Sequence, residues 1–148
     1  MTESKPPFPA GVYITLVADA SFCSDTKAYG WCYWIKYGYD PVKTIVKSGG
    51  GIGIVSSVQA EVEALLQGIT AVEALGPEMQ GKYVVIQSDC TGALARLEPR
   101  LEALKALGAG KAYTKHVKGH QGNRTPRNAV NTLCDRKAGE EMRKYRGR

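Results

Sequence analysis

Two carboxylates in this sequence follow segments that are expected to be β-strands. Asp19 comes directly after residues 12–18, where apolar and other side chains alternate, and Asp89 lies shortly after the apolar run 84–86. Functional groups in α/β sheets collect at the carboxyl ends of strands, so each acid is a candidate site residue. Each also has a simpler explanation, since Asp19 could begin a turn and Asp89 could cap the next helix.

Two further carboxylates are expected on helices. In the helix predicted for residues 57–75, Glu61 lies about 75° from the centre of the apolar stripe and Glu63 about 125° from it. Glu61 therefore borders the packed face near the start of the helix, whereas Glu63 points to solvent. Asp135 lies four residues after Asn131 in a C-terminal helix, so both project from one face of that helix.

Carboxylates without thiolates or paired histidines favour hard cations such as Mg²⁺ or Mn²⁺. Without a cation, several clustered carboxylates would repel one another. Two such ions can activate a water molecule and stabilise the leaving oxygen of a phosphodiester. The four cysteines are far apart in the sequence and are expected to be reduced structural thiols rather than disulfide or zinc ligands: Cys23, Cys32, Cys90 and Cys134.

The net charge of +6 is concentrated in the last third of the chain. Residues 105–148 contain twelve Lys/Arg and three Asp/Glu, which suggests a polyanionic partner, most simply nucleic acid. The alternative is a solvated basic tail, above all for residues 143–148. The length predicts one domain at residues 11–148 after a flexible, proline-containing lead-in at 1–10. No apolar run has membrane-spanning length and no signal peptide is evident, so a cytoplasmic location is expected.

The pattern of elements predicts an α/β fold. The order is β-β-β-α-β-α-β-α, which gives a mixed five-stranded sheet, three antiparallel strands and then parallel ones, with helices packed on it. The glycines at 49–51 are expected to loosen the chain after the third strand, and Pro99 to interrupt or kink the second helix. The predicted strands cover residues 12–18, 29–37, about 42–48, 84–86 and 112–117.

The order and context of these pieces resemble ribonuclease H of the type 1 class. The likeness runs from about residue 11 to residue 142, and the four pieces together are far more specific than any one of them. They are Asp19-Ala20-Ser21 after the first strand, residues 60–65 (AEVEAL) in the first helix, Ser88-Asp89 after the fourth strand, and residues 117–120 (VKGH) followed by Asn131, Cys134, Asp135 and Ala138.

The resemblance implies roles for the matching residues. Asp19 would bridge two Mg²⁺ ions, for which Mn²⁺ could substitute, with Glu61 and Asp89 on one ion and Asp135 completing the other. His120, in a mobile loop, would assist proton transfer or product release, although it could also be a turn residue; His116 has no counterpart and is interpreted as a strand side chain. The residues implied in substrate binding are Asn131, Ser21, Cys23, Thr91 and Lys118.

The implied reaction is endonucleolytic hydrolysis of the RNA strand of an RNA/DNA hybrid, leaving 5′-phosphate and 3′-hydroxyl ends. Recognition would depend on 2′-hydroxyls and groove shape, and such enzymes are often monomers. The chain departs from the pattern at Ser57-Val58, where many members have two asparagines, and at Cys90, where serine is usual. It also lacks the basic insertion found in some bacterial members, for which its C-terminal Arg/Lys run is the predicted substitute.

Two alternatives remain at this point. The first is a nuclease of the same superfamily that acts on DNA or on junctions. The second is a non-catalytic module that binds hybrids, although clustered negative charge is unfavourable in a protein that only binds phosphates.

Overall fold

The computed structural model describes residues 11–117 and 126–147, so the predicted lead-in at 1–10 lies outside it. Within these residues, five strands form one sheet in the order β3-β2-β1-β4-β5. The three neighbours β1, β2 and β3 pair antiparallel, whereas β4 and β5 run parallel to β1. The predicted fold class is therefore confirmed. The strands are β1 (Tyr13–Cys23), β2 (Ala28–Tyr37), β3 (Lys43–Ile52), β4 (Tyr83–Ser88) and β5 (Lys111–His116).

The helices are α1 (Ser57–Glu73), α2 (Thr91–Leu94), α3 (Glu98–Ala106) and α4 (Pro126–Arg146), with a 3₁₀ turn at Gly76–Met79. The Ser56 side chain caps α1 by accepting a hydrogen bond of 3.0 Å from the Gln59 amide. The helical segment is interrupted at residues 95–97, just before Pro99, rather than kinked. Pro99 itself belongs to α3. It lies in the first turn of α3, where its missing amide hydrogen has no helical partner to lose.

The two faces of the sheet are covered unequally. Alternate residues of β1 and β4 pack against α1 in the main core, where Leu16, Ile86 and Leu65 are fully buried. A smaller apolar cluster lies under α4 on the other face and contains Val17, Cys32, Cys134 and Ala138. None of the described helices is both long and apolar enough to cross a membrane.

The helix α4 passes close to the sheet at Gly30. A Cβ atom at this position would overlap the carbonyl oxygen of Ala138 and would lie 2.5 Å from the Met142 amide nitrogen. Only glycine leaves room for the helix backbone here, so the height of α4 above β2 depends on this residue.

Two strands, β1 and β3, end four or more residues later than the sequence predicts. β1 continues past Asp19, because its antiparallel pairing with β2 extends to Cys23. β3 includes the glycines at 49–51, which were expected to leave the strand. They stay paired because rings from β2 lie across them: a Cβ at Gly49 would be 2.6 Å from Trp31 Cζ2, and one at Gly51 would be 2.9 Å from Tyr29 Oη.

Candidate acidic metal site at the sheet edge

Strand pairing brings Asp19 and Asp89 together. The parallel pairing of β1 with β4 ends at the pair Val17–Gln87, and each acid lies two residues further along the chain, Asp19 still within β1 and Asp89 just after β4. Beyond this pair β1 remains paired with β2 alone, whereas the chain after β4 leaves the sheet and enters α2. The two carboxylates therefore stand at the point where the strands separate, a place that strand topology commonly opens for ligands.

The helix α1 adds a third carboxylate. Its apolar side packs on β1 through buried residues such as Ala64 and Leu65, which turns Glu61, near the start of the helix, toward the same sheet edge. One oxygen each of Asp19, Glu61 and Asp89 lies within 4.8 Å of the others, and all three residues are partly buried. Glu63 lies outside this acidic cluster and accepts a hydrogen bond of 2.8 Å from Gln67 Nε2.

Burial and mutual repulsion dominate the electrostatics of the acidic cluster. Burial first, and then the charge of Asp89, raises the pKa of Asp19 to about 7, even though the Ala20 amide donates to Asp19 Oδ1 over 2.9 Å and lowers it. Burial followed by the charges of Asp19 and Asp89 raises the pKa of Glu61 to about 9. Glu61 Oε1 is buried without a hydrogen-bond partner among the described residues. Negative charge in the acidic cluster is thus unfavourable while no cation is bound.

The donor set fits a hard divalent cation. Three carboxylates with converging oxygens offer the ligands that Mg²⁺ and Mn²⁺ prefer, and a cation among them would relieve the repulsion that raises their pKa values. The unpartnered Glu61 Oε1 would also gain a partner. The acidic cluster can therefore hold a divalent metal.

The C-terminal candidates lie on α4, beside the acidic cluster rather than in it. Asp135 is exposed and does not belong to the group of three, but its charge contributes to the raised pKa of Asp19. Asn131, one turn earlier, is partly buried, and its Nδ2 has no hydrogen-bond partner in the described part of the chain. Cys134, between them, lies against β1 in the apolar cluster, and none of the four cysteines forms a disulfide in the structure.

Two residues near the site were not assigned to it from the sequence. Gln87 is only 4% exposed, and its Oε1 has no partner among the described residues. A polar residue that directly follows the apolar run 84–86 is the sequence feature that could have marked it. His116, interpreted as a strand side chain, does end β5, but its Nε2 lies 3.2 Å from the carbonyl oxygen of Asp89.

The other predicted residues are distributed as follows. Ser21 and Cys23 lie on β1 beyond Asp19, and Thr91 begins α2, two residues after Asp89. These positions flank the acidic cluster on two sides. Lys118 and His120 lie outside the described residues.

The metal-free protein should lose stability as the pH rises. The folded state raises the pKa of Asp19 from 3.8 to about 7 and that of Glu61 from 4.5 to about 9, so it retains protons that the unfolded chain has already released. This contribution to stability is complete below about pH 4 and is lost as the pH passes through the folded-state values. Thermal melts in chelator should therefore give a Tm that falls from about pH 5 to 9, with the fall reduced in Asp19→Asn. A Tm that rises over this range would contradict the expectation.

Comparisons with solved structures agree with the topology. The chain resembles the N-terminal RNase H domain of Rv2228c from Mycobacterium tuberculosis, solved as a fusion with maltose-binding protein, with a TM-score of 0.63 and 18% identity over 90% of this chain and 95% of that one. It also resembles LC11-RNase H1 in complex with an RNA/DNA hybrid, with a TM-score of 0.65 and 14% identity over 88% and 97% of the two chains.

A third similar structure is RNase H1 from the halophilic archaeon Halobacterium salinarum, with a TM-score of 0.59 and 17% identity over 89% of this chain and 98% of that chain. No protein-family profile matches the chain, and no curated protein sequence matches it significantly. The chain has the ribonuclease H fold, and the resemblance predicted from the sequence is confirmed at this level.

Proposed function

We propose that this protein is an endonuclease that hydrolyses the RNA strand of RNA/DNA hybrids with the help of two Mg²⁺ ions and leaves 5′-phosphate and 3′-hydroxyl ends. The observation that carries the proposal is the acidic cluster of Asp19, Glu61 and Asp89, whose oxygens converge within 4.8 Å. The fold supports it, because similar solved structures are RNase H domains, one of them in complex with an RNA/DNA hybrid.

Each acid has a proposed role. Asp19, Glu61 and Asp89 would hold the metal, and Asp135 would supply a ligand to a second ion from α4. When bound, the ions supply Lewis-acid activation of a water molecule and neutralise charge on the phosphodiester. The Ala20 amide fixes the Asp19 carboxylate through its 2.9 Å hydrogen bond, so the central ligand is oriented before substrate arrives.

The remaining side chains position the substrate. Asn131 Nδ2, which has no hydrogen-bond partner among the described residues, is a donor suited to a phosphate oxygen. Ser21 and Cys23 on one side of the acidic cluster and Thr91 on the other contact the hybrid backbone. By the resemblance stated from the sequence, Lys118 would add a phosphate contact and His120 would assist proton transfer or product release.

A panel of labelled duplexes tests the proposal. With Mg²⁺ or Mn²⁺, the protein should cut the RNA strand of an RNA/DNA hybrid and leave double-stranded DNA and double-stranded RNA intact, because only the hybrid combines 2′-hydroxyls with the intermediate groove shape. Chelator should abolish cleavage. Equal cleavage of plain DNA or of a four-way junction would instead indicate a nuclease of different specificity, and metal-independent binding without cleavage would indicate a binding module.

The basic end of α4 should strengthen hybrid binding. Arg143, Lys144 and Arg146 form the last turn of a helix rather than a tail, and the Tyr145 ring lies 3.1 Å from where a Cβ of Gly50 would be. Deleting this segment would therefore disturb packing as well as charge. The sharper variant is Arg143→Gln with Arg146→Gln, which should weaken hybrid binding and reduce the slope of log K against log salt by about 0.9 for each phosphate that the arginines neutralise in the wild type.

The control is Lys43→Gln, at the opposite end of β3, where Lys43 pairs with Glu78 at 3.5 Å. It should leave the salt slope unchanged. A double arginine variant with the same slope as the wild type would contradict the role given to this end of α4.

A further inference from the structure

The face of the sheet opposite α1 carries a group of aromatic and basic side chains that lies apart from the acidic cluster. Helix α4 packs on this face, against β1, β2 and β3. Farther from the acidic cluster, three tyrosines occupy neighbouring strands: Tyr13 on β1, Tyr83 on β4 and Tyr113 on β5. We call them the tyrosine row.

Register and ring geometry show that the three belong together. Tyr13 is the strand partner of Tyr83, and their rings meet edge to face with centroids 5.9 Å apart and planes at 85°. Tyr113 lies two residues beyond the partner of Tyr83 on β5, so its side chain points to the same face. Val85, between them, is 6% exposed and forms the floor, whereas the three tyrosines are only partly buried.

Lysines lie on both sides of the tyrosine row. Lys111 is the strand partner of Tyr83, and its Nζ lies 5.3 Å from the centroid of the Tyr113 ring. Lys115 follows on the same face of β5, and Lys36 on β2 pairs with Thr15 on the other side; both are exposed. Among the strand residues of this face in the described chain, the one acid is Asp19, six residues from Tyr13 and thus about 20 Å along β1.

We propose that the tyrosine row and its flanking lysines bind single-stranded nucleic acid at a site separate from the acidic cluster. Aromatic rings on adjacent strands of a sheet form a surface on which unpaired bases stack, and lysines beside them contact the phosphates. The scarcity of acids among the described strand residues of this face favours a polyanion over a protein partner, and the rings favour unpaired bases over a duplex whose bases are already stacked. Binding is tolerant of sequence and weakens with salt.

This proposal does not depend on cleavage, so it is tested in chelator. Fluorescence anisotropy with labelled oligo(dT) of about 15 nucleotides should detect binding by the whole protein at low salt. Tyr113→Ala should weaken that binding about tenfold, because it removes one stacking surface. Tyr113→Phe keeps the ring and should bind like the wild type, which separates stacking from a loss of fold.

The lysines give a second, independent measurement. Lys111→Ala should reduce the salt slope for oligo(dT) by about 0.7, the value for one phosphate contact on a single strand. Lys105→Ala, an exposed lysine of α3 paired with Glu102 at 3.1 Å, is the control and should leave the slope unchanged.

Three results would overturn the proposal. They are no oligo(dT) binding by the wild-type protein, equal binding by Tyr113→Ala and Tyr113→Phe, and complete displacement of oligo(dT) by an equimolar blunt RNA/DNA hybrid. The last would mean that oligo(dT) occupies the acidic site. None of the three bears on whether the protein cleaves hybrids, so the two proposals fail separately.

Discussion

Asp89→Asn should lower the rate of hybrid cleavage by about 10²- to 10³-fold, the scale on which removal of one strong electrostatic group in an active site acts. The amide is neutral and has a single oxygen, so the acidic cluster would hold a divalent cation less tightly. The rate is measured under single-turnover conditions at saturating Mg²⁺. Glu63→Gln is the matched control on α1, because Glu63 lies outside the acidic cluster, and it should retain the wild-type rate.

Although Asp89→Asn should lower the cleavage rate, it should raise the stability of the metal-free protein. Asp89 is the second cause, after burial, of the raised pKa of Asp19, and its charge also raises the pKa of Glu61. Removing that charge relieves repulsion, so metal-free Asp89→Asn should melt at a higher temperature than the wild type near pH 8. A variant that is both inactive and less stable would indicate misfolding, and one that keeps cleavage within tenfold of wild type would contradict the proposed role of Asp89.

Gly30→Ala should destabilise the protein by about 3 kcal/mol and lower its Tm by about 10 °C, at the upper end of what overpacking costs. The new Cβ would overlap the Ala138 carbonyl oxygen and would lie 2.9 Å from the Glu141 Cβ, and all of these contacts are with α4. The helix must move outward, and Asp135 and Asn131 move with it. Cleavage should therefore fall as well, even at temperatures where the variant is folded.

Gly92→Ala is the control for this experiment. Among the described residues its Cβ would meet only Val58, with Cγ1 at 3.7 Å, an ordinary contact, and alanine favours the helix α2 in which it lies. Its melting temperature should change little. If Gly30→Ala melts at the wild-type temperature, then α4 does not pack against β2 as closely as the Gly30 contacts indicate.

Local periodicity was sufficient to predict the sheet, the helices and their order. The alternation in β1 reflects burial of one face of the strand, and the apolar run in β4 reflects burial of both faces. The same burial stabilises these strands in the sheet. The position of Glu61 followed from the helical repeat in the same way, because the packed side of α1 faces β1. The predicted ends of β1 and β3 were wrong, because both strands stay paired with β2 beyond the point where their own alternation stops.

By itself, then, the sequence determined which elements form, that Asp89 directly follows β4 and that Glu61 lies near the start of α1, since these properties depend on residues a few positions apart; the strand end expected at Asp19 was wrong, because β1 continues to Cys23. Only the tertiary structure decided how close the three carboxylates come, why the pKa values of Asp19 and Glu61 rise, and that Asp135 stands beside the acidic cluster rather than in it. It also decided that three tyrosines far apart in the chain share one face. Repulsion, burial and ring contacts depend on distances between residues brought together only by folding, and no local pattern records those distances.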